Sequence, residues 1–141
     1  MTCGFEDKSI DTGRFVLSRI NSENYQFHHI RFDCIQGEQG ELVFEPSEVE
    51  YYFEPVTIQE SGSSILKNEL ENSEEGAGQV GFQLSNDGTN EIQYGKSNYY
   101  SFQHPHEGSN QIPLFIHPRT YGNNVSSGQI MSRVKIVVMY N

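Results

Sequence analysis

The stretch Gly128-Gln129-Ile130-Met131-Ser132-Arg133-Val134-Lys135-Ile136-Val137-Val138-Met139-Tyr140 decides how this chain is read. Its even positions are Gly128, Ile130, Ser132, Val134, Ile136, Val138 and Tyr140, and its odd positions are Gln129, Met131, Arg133, Lys135, Val137 and Met139. Successive side chains of a strand point to opposite faces, so a period of two gathers the even set on one side. That side is apolar almost throughout. The other starts polar and becomes apolar towards the end. β-branched residues crowd the segment and favour a pleated, half-buried surface. The pattern predicts one long strand from Gly128 to Tyr140.

The same period recurs upstream. In Gln26–Cys34, His28, Ile30, Phe32 and Cys34 share one side, and His29, Arg31 and Asp33 the other. Val80, Phe82 and Leu84 alternate with Gly81, Gln83 and Ser85 before the turn residues Asn86-Asp87-Gly88, and Ile92 and Tyr94 begin a short return. Leu42-Val43-Phe44 and Tyr51-Tyr52-Phe53 read as two strands broken at Pro46-Ser47-Glu48. Phe15-Val16-Leu17-Ser18-Arg19-Ile20 reads as a further strand. Ile112, Leu114 and Ile116 alternate as well, but Pro113 and Pro118 point to an edge or interrupted strand, because proline cannot donate to a ladder. Residues 59–78 read as a long polar loop with at most one helical turn at Ile65–Leu70. Roughly seven short strands with turns between them predict an all-β sandwich in a single domain, residues 1–141.

Composition narrows the function classes. The 141 residues hold 9 Lys+Arg against 19 Asp+Glu, a net charge of −10, so nucleic acid and anionic membrane surfaces are repelled. Hydrophobic residues make up 35 % of the chain, without a tryptophan but with 9 Phe and 8 Tyr, so aromatic and β-branched side chains must build the core. No apolar run approaches the ~20 residues that span a bilayer, which predicts no membrane insertion. No signal-peptide pattern opens the chain, and Met1 reads as a start placed on a mature fragment. Cys3 and Cys34 stand 31 positions apart. By themselves they are weak evidence, since two buried thiols are as common in cytosolic chains, but they favour an oxidising compartment, where a disulfide would contribute roughly 3–4 kcal/mol to an apolar-poor chain.

In this order and spacing the motifs resemble the pilin subunits of chaperone–usher fimbriae. Cys3 ahead of the first strand and Cys34 at the end of the second resemble the family's single disulfide. Phe15-x-Leu17-Ser18-x-Ile20 resembles its first-strand V-x-L-G-x-V pattern, with serine where glycine is usual. Val80-Gly81-Phe82-Gln83-Leu84-Ser85-Asn86-Asp87-Gly88 is similar to its mid-chain strand and turn. Alternation from Gly128 to the penultimate Tyr140 resembles its most specific signature, a C-terminal zipper.

The resemblance implies an incomplete immunoglobulin-like β-sandwich lacking one strand, completed by a strand from another chain. It implies a groove lined by Gly128, Ile130, Val134, Ile136, Val138 and Tyr140, with Phe15, Leu17 and Ile20 opposite. It implies that the terminal carboxylate of Asn141 is anchored by basic residues of a periplasmic chaperone. The implied partners are that chaperone, the usher, adjacent fimbrial subunits and, for a tip subunit, a host receptor. The implied location is the periplasm in transit and then the bacterial surface. Family shaft subunits carry an apolar-alternating extension before the first cysteine, whereas only Met1 and Thr2 precede Cys3 here; the chain as given is expected to accept a strand and not to donate one. A free-standing β-sandwich adhesin or lectin-like module is the alternative.

Other candidates are weaker. His104-Pro105-His106 with His117 invites a metal, but solvated loop histidines explain them better, and neither a metal nor a cofactor is expected. His28 and His29 face opposite sides of a strand and cannot chelate together. No Gly-x-Ser-x-Gly, His-Glu-x-x-His or glycine-rich phosphate loop occurs, so no enzyme is expected. Glu69, Glu71, Glu74 and Glu75 read as a solvated face. Tyr51-Tyr52, Tyr94 and Tyr99-Tyr100 offer sugar-stacking rings, but packing between sheets is the favoured reading.

Overall fold

The structure is a computed structural model that describes residues 2–35, 48–58 and 62–139. Its strands are β1 (Thr2–Phe5), β2 (Gln26–Ile35), β3 (Glu48–Pro55), β4 (Ile65–Leu66), β5 (Val80–Ser85), β6 (Tyr100–Gln103), β7 (Gly108–Thr120) and β8 (Val134–Met139). They form a five-stranded sheet in the order β1-β2-β7-β5-β4 and a three-stranded sheet in the order β6-β3-β8. All these ladders are antiparallel. The architecture is a two-sheet, immunoglobulin-like β-sandwich, as the resemblance implies. The expected strand Leu42–Phe44 lies outside the described residues.

Alternation puts the core where the period of two predicts. Ile30, Phe32 and Cys34 of β2 and Ile112, Leu114 and Ile116 of β7 point inward and meet Val49, Tyr51 and Phe53 of β3. Aromatic edges lock the two sheets together: Phe32 meets Phe102 at 5.0 Å between ring centres, and Phe5 meets Tyr51 at 5.6 Å. Tyr51 stacks on Tyr100, and the Tyr94 hydroxyl donates to the Ser64 carbonyl at 2.7 Å. Three of the tyrosines considered for sugar stacking are therefore core rings. Burial pushes the Tyr51 phenol up to about 12, with Tyr100 adding to the rise.

Cys3 and Cys34 form a disulfide across the register pair that joins β1 to β2. Both are buried. Replacing both by alanine is expected to cost about 3–4 kcal/mol, because the link closes a loop that the unfolded chain otherwise explores freely. The measurement is the urea midpoint under oxidising conditions, and a midpoint equal to the parent's would contradict it.

Three local expectations are corrected. Phe15–Ile20 is not a strand: Leu17–Ser22 is a 3-10 helix. In such a helix residues three apart eclipse, so Leu17 and Ile20 share a face, and the apparent alternation was a three-residue spacing. The Ser22 hydroxyl closes the turn on the Arg19 carbonyl at 2.8 Å. Next, β7 is central rather than an edge, flanked by β2 and β5. Pro113 pairs with His29 beyond the last β5 pair, Ser85 with Phe115, and Pro118 pairs with Phe82 beyond the last β2 pair, Gln26 with Ile116. Each proline thus has one open flank, and a missing N–H facing that flank removes no ladder bond. Finally, residues 62–78 are not merely a polar loop. They contain β4 and bury Leu66, Asn68 and Ala77.

Candidate functional site: an open sheet edge and its groove

The final strand is shorter than its alternation predicts. β8 covers six residues, Val134–Met139, and pairs with β3 from Pro55↔Val134 to Glu50↔Met139. Upstream, the chain turns to residues 68–77 instead. Gln129 N donates to the Glu75 carbonyl at 2.7 Å, Ala77 N to the Gln129 carbonyl at 2.9 Å, and Glu69 N to the Met131 carbonyl at 2.8 Å. Gly128 is required by this close approach, since a Cβ there would collide with the Ala77 nitrogen and the Gly76 carbonyl carbon.

Asn68 holds the junction together. Its Nδ2 donates to the carbonyls of Ala77 at 2.8 Å and Gln129 at 2.9 Å. Its Oδ1 accepts from Leu70 N at 3.0 Å and Met131 N at 2.9 Å. At this point the segment leaves the sheet and enters the loop.

β8 is an edge. It pairs with β3 on one side, and among the described residues no strand pairs with the other. At ~4.8 Å per strand, five strands span roughly 19 Å and three only roughly 10 Å. The smaller sheet therefore cannot roof the inner face of the larger one. The result is a groove of about 1200 Å³. Val134, Ile136 and Val138 form one wall, and the chain from Cys3 to Thr12 forms the other. Ile30, Leu114, Ile116 and Leu84 form the floor, with Leu66 and Phe82 beside Met131 towards one end. The floor side chains are part of the sandwich core, while the β8 wall is only half-buried. Beyond β1 the N-terminal wall follows no ladder among the described residues. It is tied by Lys8 Nζ to the His29 carbonyl at 2.8 Å, by Gln26 Nε2 to the Thr12 carbonyl at 2.8 Å, and by Ile10 against the core.

The structure brings together only part of the expected lining. Val134, Ile136 and Val138 stand in the groove. Phe15, Leu17, Ile20 and Ile130 gather elsewhere, in a second apolar cluster with Ala77, Val80 and Val125. Gly128 sits against Gly76 and Ala77, away from the groove lining. The 3-10 helix and the turn at Gln129 carry these residues off the strand path, away from the lining that the resemblance implies. Tyr140 and Asn141 lie outside the described residues. Sequence reasoning missed the floor, although the inward parity of β2 and β7 was the signal that marked it.

The histidines do not converge. His104 and His106 are exposed in the turn before β7, and His117 is buried roughly 30 Å along that strand, by its rise of ~3.3 Å per residue. Among the described residues no group of three or more His, Cys, Asp or Glu side chains is placed to hold a metal. Of the acidic cluster, Glu69 pairs with Arg133 at 2.8 Å and Glu71 accepts from the Tyr121 hydroxyl at 3.1 Å.

No protein-family model and no curated protein matches the chain in sequence. Solved structures do match in shape. The crystal structure of the P pilus rod subunit PapA is similar over 99 % of both chains, with a TM-score of 0.70 and 16 % identity. A chaperone–usher pilus structure concerned with rod uncoiling is similar over 99 % of this chain and 87 % of that one, with a TM-score of 0.66 and 16 % identity. With its two antiparallel sheets and the Cys3–Cys34 disulfide, this chain has the fold of a chaperone–usher pilin subunit.

Proposed function

We propose that this chain is a structural subunit of a bacterial surface fimbria that takes a donated β-strand into the groove beside β8. The observation that carries the reading is the β8 edge, unpartnered among the described residues, over an apolar floor. An exposed strand edge beside open core side chains is a pairing template and an aggregation hazard. An added strand removes both by supplying main-chain hydrogen bonds and alternate apolar side chains. The likeness to a P pilus rod subunit supports the same reading.

On this reading a periplasmic chaperone is the first donor. A neighbouring subunit replaces the chaperone at the usher. The chain then resides in an extracellular fimbria, supports adhesion without catalysis, and meets a host receptor only where its position in the fimbria exposes it.

Hydrogen exchange tests the site directly. In the free chain, amides of Val134–Met139 that point away from β3 exchange quickly. Adding a synthetic peptide of about ten residues, apolar at alternate positions, is expected to slow those amides at least tenfold. Unchanged exchange there, with the β3–β8 ladder intact, would refute strand uptake at this edge.

A further inference from the structure

The outer face of the five-stranded sheet carries a second concavity, unrelated to the groove. Even-numbered β7 residues, Leu114 and Ile116, face the groove, while the odd-numbered Phe115, His117 and Arg119 face this pocket. Its volume is about 430 Å³. Glu23, Asn24 and Tyr25, which follow the 3-10 helix, form the opposite rim.

The chemistry of the lining is specific. Arg119 is held in place, with Nε donating to Gln83 Oε1 at 3.1 Å and Nη1 to the Asn21 carbonyl at 2.7 Å. The guanidinium also hydrogen-bonds the Tyr25 phenol, opposing the rise in pKa that burial imposes on that group. Glu23 makes no hydrogen bond or ion pair among the described residues, although it lines the same pocket as Arg119. His117 Nδ1 lies 2.5 Å from the Pro118 carbonyl, which can only accept. The ring proton is therefore on Nδ1, and Nε2 is left as an acceptor. Desolvation is the main influence on this ring and lowers its proton affinity, which keeps it neutral. Tyr25 packs edge-on against it at 4.9 Å. The Phe115 ring is half-buried, with the Phe27 ring at 5.0 Å between centres and Gly88 packed so close that a Cβ there would lie 3.3 Å from it.

We propose that this pocket binds a neutral pyranose, with Phe115 under the sugar's C–H face, Glu23 and His117 Nε2 accepting from its hydroxyls, and Arg119 and Asn24 donating to them. A sugar hydroxyl both donates and accepts, so it can engage a carboxylate that makes no bond among the described residues and a guanidinium whose N–H donors exceed its partners, both lining one pocket. An apolar ring face beside polar groups is the usual makeup of such sites. An anionic ligand fits poorly, because Glu23 lies in the pocket and the chain carries a net charge of −10. Because the groove uses the opposite face of β7, the site remains open while a strand is bound.

The test is NMR titration of the folded chain with methyl α-mannoside, methyl β-galactoside and methyl N-acetyl-β-glucosaminide, each to about 50 mM, against an expected affinity near 1 mM for ligands this small. At least one sugar is expected to shift Phe115, His117 and Arg119 resonances in a saturable way. Glu23→Gln, at a site without intramolecular bonds, is expected to weaken binding at least fivefold with an unchanged melting temperature, and Phe115→Ala at least tenfold. Ile136→Asp, in the groove, is expected to leave sugar binding unaltered, which separates this site from the strand-uptake reading. Absence of saturable shifts with all three sugars, shifts confined to groove residues, or binding indifferent to both pocket variants would each overturn the proposal.

Discussion

Filling the groove with a complementary strand is expected to raise the melting temperature of this chain by about 10–20 °C. Four apolar side chains seated between the β8 wall and the floor, at ~1.5–3 kcal/mol each, give on the order of 10 kcal/mol of gross burial. Ordering the peptide and confining it to one site removes more than half of that, leaving roughly 3–5 kcal/mol at saturating peptide. For a domain of this size each kcal/mol moves the midpoint by ~3–5 °C. Calorimetry with and without peptide reads the shift directly. Ile136→Asp should abolish it, because a carboxylate would be buried against Leu114 and Ile116 without a partner. A midpoint unmoved by saturating peptide would mean that the sandwich is already complete.

The second large effect concerns Asn68. The side chain is 3 % exposed and uses all four of its hydrogen-bonding positions to join the 68–77 turn to Gln129 and Met131. Asn68→Ala leaves two carbonyls and two amides without this partner in a largely enclosed junction. At about 1 kcal/mol per lost bond, and more for a group left dry, the expected loss is roughly 3–5 kcal/mol. Urea denaturation checks it, with Glu74→Ala, exposed in the same turn, as a surface control expected to cost under about 0.5 kcal/mol. The effect should reach function too. Met131 lines the groove end, and freeing the turn that positions it should weaken strand uptake. A loss below about 1 kcal/mol would show that water replaces the amide without penalty.

Legibility in the sequence followed the range of the interactions involved. β2 and β5 were readable because their inward residues alternate over their whole length, and a period of two is a local property. The half-buried residues Val134, Ile136 and Val138 were readable for the same reason. The alternation of Gly128–Arg133 was equally regular, yet there the backbone bonds to Glu69, Glu75 and Ala77, and nothing within the segment announces that choice. Leu17 and Ile20 fit two spacings, and only their packing on Ala77 and Val80 selected the helical one. The prolines of β7 were read as edge markers because a strand's two neighbours cannot be seen from its own residues. The neighbours end at staggered positions, which opens one flank at Pro113 and the other at Pro118.

The amino-acid sequence alone determined the fold class, the inward faces of the main strands and the apolar wall of the last one, because alternation and turn chemistry act between near neighbours. The pairing of Cys3 with Cys34 was suggested by resemblance and became definite only when β1 and β2 lay side by side. Tertiary structure alone decided where the final strand begins, which side chains floor the groove, and that Phe15, Leu17, Ile20 and Ile130 belong to a separate cluster. These outcomes depend on how five strands and three strands cover one another, and on bonds between residues about sixty positions apart, as between Asn68 and Gln129.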